Sequence, residues 1–177
     1  VPPGVNPGKT VHLMDIHAEK GMQCADCHFA QDSHGNGLIY GEVANAVEIG
    51  CVDCHGTADD YPTLRTSGPA APPKGNNLEL LRNPDGQRRF EWVDLPNGRR
   101  ELIQRSLVDP SMEWKVALVK NSVDPTSPGF NPKSARAKLM SKDGGETGKF
   151  AFGTGIKPGM RAHEVGKMAC FTCHLSW

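Results

Sequence analysis

Apolar residues in this chain come in short bursts, and few of them keep one period for long. Residues 1–9 are rich in Pro and Gly and read as an extended lead-in. Thr10 can then cap a helix that runs to about Met22 and carries His12 and His17. Five residues along a helix turn by about 500°, so these two imidazoles point some 140° apart and do not readily serve one partner. The segment Asp32–Gly37 is a loop by composition, and a short helix is expected over Glu42–Glu48. From Gly56 to Pro84 little periodicity survives, which predicts a surface excursion. Two β-prone runs follow, Arg88–Leu95 and Arg99–Arg105, flanking Pro96-Asn97-Gly98, and predict a hairpin. Alternation over Met112–Leu118 predicts a third strand. A Pro-bearing loop is expected over Asn121–Pro132, then a short helix over Lys133–Ser141, the Gly-containing stretch Lys142–Glu146, and a last helix over Met160–Ala169.

Composition makes this sparse pattern sparser. Of the 177 residues 37% are hydrophobic, with 20 Gly and 14 Pro, so the side chains alone build a thin core. No run approaches the length of a membrane span. The opening VPPGVNPGKT lacks an apolar signal core and reads as a mature N-terminus or an internal piece. Net charge is zero but uneven: residues 1–55 hold two Lys against seven acids, and residues 56–162 hold seventeen basic residues against twelve acids. Two differently solvated faces explain this, as does a basic middle segment that packs over acidic groups or guides a partner.

The cysteines change the picture. All six fall in three Cys-x-x-Cys-His units: Cys24-Ala25-Asp26-Cys27-His28, Cys51-Val52-Asp53-Cys54-His55 and Cys170-Phe171-Thr172-Cys173-His174. Two thiols at this spacing can form thioethers to both vinyl groups of one porphyrin while the next imidazole binds the iron, which is the attachment signature of c-type haem. A four-cysteine zinc site formed by the first two pairs is the main competitor, but it orphans the third pair. It also leaves unexplained a His after every pair, a coincidence on the order of 10⁻⁴ by composition. A thioredoxin-like dithiol occurs once, beside a strand-helix pattern that is absent here. The expected cofactors are therefore three covalent haems c and no zinc, with His28, His55 and His174 as proximal ligands. Such porphyrins would supply the missing apolar mass, and the haem-free chain is expected to be largely unfolded. Only 23 residues separate Cys27 from Cys51, so the first two haems are expected to touch.

Four further histidines, His12, His17, His34 and His163, all lie near a unit in sequence, and none falls in residues 56–162. That clustering makes them candidate distal ligands. His17 and His163 each stand seven positions before a first haem cysteine, with Met22 and Met168 two before it, a weak internal repeat. Three irons need three distal ligands, so one of the four is structural or reaches the iron of another chain. Met14, Met22, Met112, Met140, Met160 and Met168 are alternative ligands, though Met more often fills space. Bis-histidine ligation gives low-spin, low-potential irons with no open position, suited to carrying electrons.

The run DIHAEKGMQCADCHFAQDSHGNGLIYGEVANAVEIGCVDCHG resembles segments of large secreted multihaem c-type cytochromes of metal-respiring and related bacteria, as does MACFTCHLSW. The resemblance covers roughly the first 57 and last 15 residues. It implies a multihaem cytochrome c architecture, mostly irregular with short α-helices around covalent haems plus a small antiparallel β insert. On that basis residues 1–57 form a di-haem segment, 58–158 a haem-free insert, and 159–177 a third haem segment packing back on the first. The resemblance also implies a periplasmic or extracellular electron conduit, with His17 and His34 the foremost distal ligands. Expected partners are redox proteins, an extracellular acceptor, or further cytochrome chains with haems stacked across an interface; neither nucleic acid nor a membrane span is expected. The chain has few haem units for its length, which leaves it readable as a fragment, a trimmed product or one subunit of a longer wire. The rival enzymatic reading is a reductase with one open iron acting on a small oxyanion or peroxide, and it sits poorly with a surplus of histidines.

Overall fold

The computed structural model describes residues 16–29, 32 and 35–132. Its regular elements are short. One-turn helices α1 (Ile16–Glu19), α2 (Cys24–Cys27) and α3 (Cys51–His55) come first, then strands β1 (Phe90–Asp94), β2 (Arg100–Arg105) and β3 (Glu113–Lys115), and last α4 (Val119–Val123).

The predicted hairpin is present. Strands β1 and β2 pair antiparallel from Phe90↔Gln104 to Asp94↔Arg100, and the link between them holds a 3-10 turn over Pro96–Gly98. Gly98 takes φ +70°, a left-handed value that favours glycine. The third strand exists too, but it is shorter than the alternation predicts: β3 pairs with β2 over Ile103↔Lys115 to Arg105↔Glu113, giving the order β1-β2-β3.

Helix α1 ends three residues before the predicted stop. Gly21, at φ +88°, donates from its N–H to the Ala18 carbonyl, and the Met22 N–H reaches back to His17 O, which closes the helix in a Schellman turn. The helix predicted over Glu42–Glu48 is a 3-10 turn confined to Val43–Ala46. The predicted loop at Asn121–Pro132 begins inside α4. The helices expected over Lys133–Ser141 and Met160–Ala169 lie outside the described residues.

The largest departure is at Gly56–Pro84. This stretch supplies core as well as surface: Leu64 and Leu78 are fully buried, and the Leu78 N–H donates to Leu64 O at 2.8 Å. They join Cys54, Phe90, Leu102 and Leu118 in one apolar cluster, flanked by Phe29, Ile49, Tyr61, Leu81, Trp92 and Val116. Leu64 lies outside any helix or strand and Leu78 opens a 3-10 turn of three residues, Leu78–Leu80, so neither belongs to a run long enough for a period of 2 or 3.6 to mark it in the sequence. The insert and the first two cysteine units thus share a core. Among the described residues no helix is long and apolar enough to cross a membrane.

Candidate functional site

Both described Cys-x-x-Cys-His units fold alike. In each, the two cysteines lie three apart on one short helix and so on one side of it; α2 ends at Cys27, whereas α3 runs on through His55. Each turn is closed at its start by its own aspartate: Asp26 Oδ2 accepts from Gln23 N at 2.8 Å, and Asp53 Oδ2 accepts from Gly50 N at 2.7 Å. Cys24 is exposed, Cys27 and Cys51 are half-buried and Cys54 is buried, and none is in a disulfide. Burial pushes the Cys54 thiol far above its ordinary range, with smaller contributions in the same direction from Cys27, Asp53 and Cys51. Phe29, directly after the first unit, packs against the apolar cluster that holds Cys54, and this brings the two units near one another. Among the described residues, no three His, Cys, Asp or Glu gather as a metal-holding group.

The two aspartates also fasten the units to the rest of the chain, which the sequence reading missed. Asp26 is fully buried, and its carboxylate accepts from Ser106 Oγ at 3.0 Å and from Leu107 N at 2.7 Å, while Gln104 Nε2 donates to the Asp26 carbonyl at 2.8 Å. Asp53 accepts from Ser67 N at 2.8 Å and from Ser67 Oγ at 2.5 Å. The available signal was the shared Asp in CADCH and CVDCH; the third unit has Thr172 there.

Each following histidine has one ring nitrogen engaged. His28 Nδ1 lies 2.6 Å from Asp32 Oδ2, and the other Asp32 oxygen accepts from Glu48 N at 2.8 Å. His55 Nδ1 lies 2.7 Å from the Ala117 carbonyl, just beyond β3. An acceptor at Nδ1 fixes the tautomer with its proton there and leaves Nε2 as the basic nitrogen, the arrangement that metal-ligating imidazoles use. The residues present would fit an iron porphyrin: paired thiols one turn apart, then an imidazole with Nδ1 engaged and Nε2 as the nitrogen that could ligate.

His17 is brought to His55, with ring centres 5.9 Å apart and ring planes inclined at 44°. His12, His34, His163, Cys170, Cys173 and His174 lie outside the described residues.

The residue after the second unit carries backbone strain. Gly56 sits at φ +69° and ψ −157°, a region open essentially only to glycine, and its N–H caps α3 on Val52 O at 3.0 Å. A Cβ there would lie 2.5 Å from Asp60 O and 2.8 Å from Pro62 N. Gly56→Ala is accordingly expected to cost about 1–3 kcal/mol from the backbone alone, read as a lower urea midpoint for the purified protein. An unchanged midpoint would show that the turn relaxes freely.

No family model matches the chain, and neither the curated proteins nor the solved structures searched contain a match.

Proposed function

We propose that this chain is a multihaem c-type cytochrome that carries single electrons, held through Cys24, Cys27 and His28, through Cys51, Cys54 and His55, and through Cys170, Cys173 and His174. The observation that carries the reading is the engagement of both described proximal imidazoles at Nδ1, His28 by Asp32 and His55 by Ala117, which frees Nε2 of each for iron. Haem supplies an iron that gains and loses one electron without large rearrangement. The chain's own residues anchor, orient and insulate that iron. Asp26 and Asp53 tie each unit to the insert, and the Cys54 side chain sits in the apolar cluster. The packing of Phe29 against the cluster that holds Cys54 favours a closely coupled first pair. Histidines in excess of the three proximal ones favour closed, bis-histidine irons, and so a carrier over a reductase. The reading places the protein in the periplasm or outside the cell, exchanging electrons with redox proteins, an extracellular acceptor or further cytochrome chains.

Intact mass and a reduced-minus-oxidised spectrum test this directly on protein matured with covalent haem attachment. The expected result is a mass increment of three haems and low-spin bands in both states. A colourless, metal-bound product would favour the zinc module, and a high-spin resting spectrum that changes with nitrite, sulfite or peroxide would favour the reductase.

A further inference from the structure

We infer that His17 is the distal ligand of the iron held by the second unit, Cys51–His55, and not of the unit that it immediately precedes in sequence. The inference rests on the haem-binding reading above. A metal–imidazole bond is about 2 Å and the ring centre lies about 1.1 Å behind the ligating nitrogen, so two imidazoles on opposite faces of one iron have centres roughly 6 Å apart. The His17 and His55 ring centres are 5.9 Å apart. Two axial imidazoles can take any mutual angle about the axis they share, and the observed 44° is within that freedom.

One segment holds both rings in place. Trp114, in β3, donates from Nε1 to the Lys20 carbonyl at 2.8 Å, pinning the turn that ends α1 three residues after His17. Ala117, three residues on, accepts from His55 Nδ1 at 2.7 Å and points the other nitrogen of that ring away from the strand. The Schellman turn at Gly21 fixes the exit of α1, and Met112 packs against Gly21 closely enough that a Cβ there would meet its Cε at 2.5 Å. Residues 112–117 therefore set the separation of two histidines that lie 38 positions apart in the sequence. The consequence is a crossed arrangement: the helix before the first unit closes the iron of the second, which locks the two units together and requires the first iron to take its distal ligand from elsewhere.

The test uses the full chain matured with haem. His17→Ala should retain three haems by intact mass while one ferric haem per chain turns from low- to high-spin by electron paramagnetic resonance. His17→Met should restore a low-spin signal with an upward shift in one reduction potential, because thioether sulfur favours the ferrous state. The iron concerned is located in the unaltered, fully reduced protein: the His17 ring protons should show nuclear Overhauser contacts to the porphyrin joined through Cys51 and Cys54. A wholly low-spin His17→Ala protein, or His17 contacts to a porphyrin joined through another pair, would overturn the assignment even with three haems present. If His17→Ala fails to mature, the nuclear Overhauser result decides alone. A protein that takes up no covalent haem overturns this assignment and the function proposed above together.

Discussion

Asp26→Ala is expected to destabilise the protein by about 3–5 kcal/mol, the cost of stripping the charge from a buried hydrogen-bonded network. Three donors lose their acceptor: Gln23 N, Leu107 N and Ser106 Oγ. Gln23 is exposed and can turn to water, so it contributes little. Ser106 is 1% exposed and has no such recourse, and an unmet buried donor costs about 1–3 kcal/mol. Arg89, itself buried, loses a nearby negative charge as well: burial lowers its pKa, and Asp26 works against that shift. Asp26→Asn should cost less, because the amide keeps one acceptor oxygen and the same shape. Urea unfolding of the purified protein measures both. Midpoints equal to that of the parent protein would mean that the carboxylate is not what fastens the first unit to the segment after β2. For contrast, removing the exposed Asp94–Arg100 pair should change stability by less than about 1 kcal/mol, since solvent screens it.

On the proposed haem-binding reading, Asp32→Asn should raise the reduction potential of a haem held by the first unit by about 60 mV, leaving the number of covalent haems unchanged. The sign follows from the charge on the Nδ1 acceptor. A carboxylate facing His28 Nδ1–H makes the imidazole a stronger donor and favours the ferric iron; an amide does so less, so the ferrous state gains. Loss of such an outer partner typically changes metal affinity 10–100-fold. The His28 side chain is 48% exposed, which puts the effect at the lower end, and a tenfold preference between oxidation states is about 59 mV for a one-electron couple. Asp32 also accepts from Glu48 N, so the variant has one oxygen for two donors and a small loss of stability should accompany the shift. A redox titration that resolves the individual haems is the measurement, and an unmoved or lowered first-haem potential would contradict the proximal role of Asp32. His55 faces the neutral carbonyl of Ala117 instead, so with haem bound as proposed this contribution alone would make the first unit the more reducing of the two.

The local geometry of the candidate site was legible because it is written in neighbouring residues. Two cysteines three apart and a histidine next to the second need only one helical turn to be placed, and α2 and α3 supply that turn. The hairpin was legible for a similar reason, since Pro96-Asn97-Gly98 and two β-prone runs specify a local reversal. The roles of Asp26 and Asp53 were visible only as a shared letter between two motifs. Their partners, Ser106 and Ser67, lie 80 and 14 residues away, and nothing in the spacing announces either.

Sequence alone therefore determined the units: which residues pair, at what spacing, and which imidazole follows each pair. Helix geometry and the reach of a side chain act over a few residues, so these follow from the order of the letters. Only the tertiary structure decided that the His17 ring lies 5.9 Å from that of His55, that Leu64 and Leu78 close the core, and that Asp26 is anchored by Ser106. Those juxtapositions come from burying a small apolar cluster and satisfying buried carboxylates at the same time, and packing of that kind joins segments without regard to their separation along the chain.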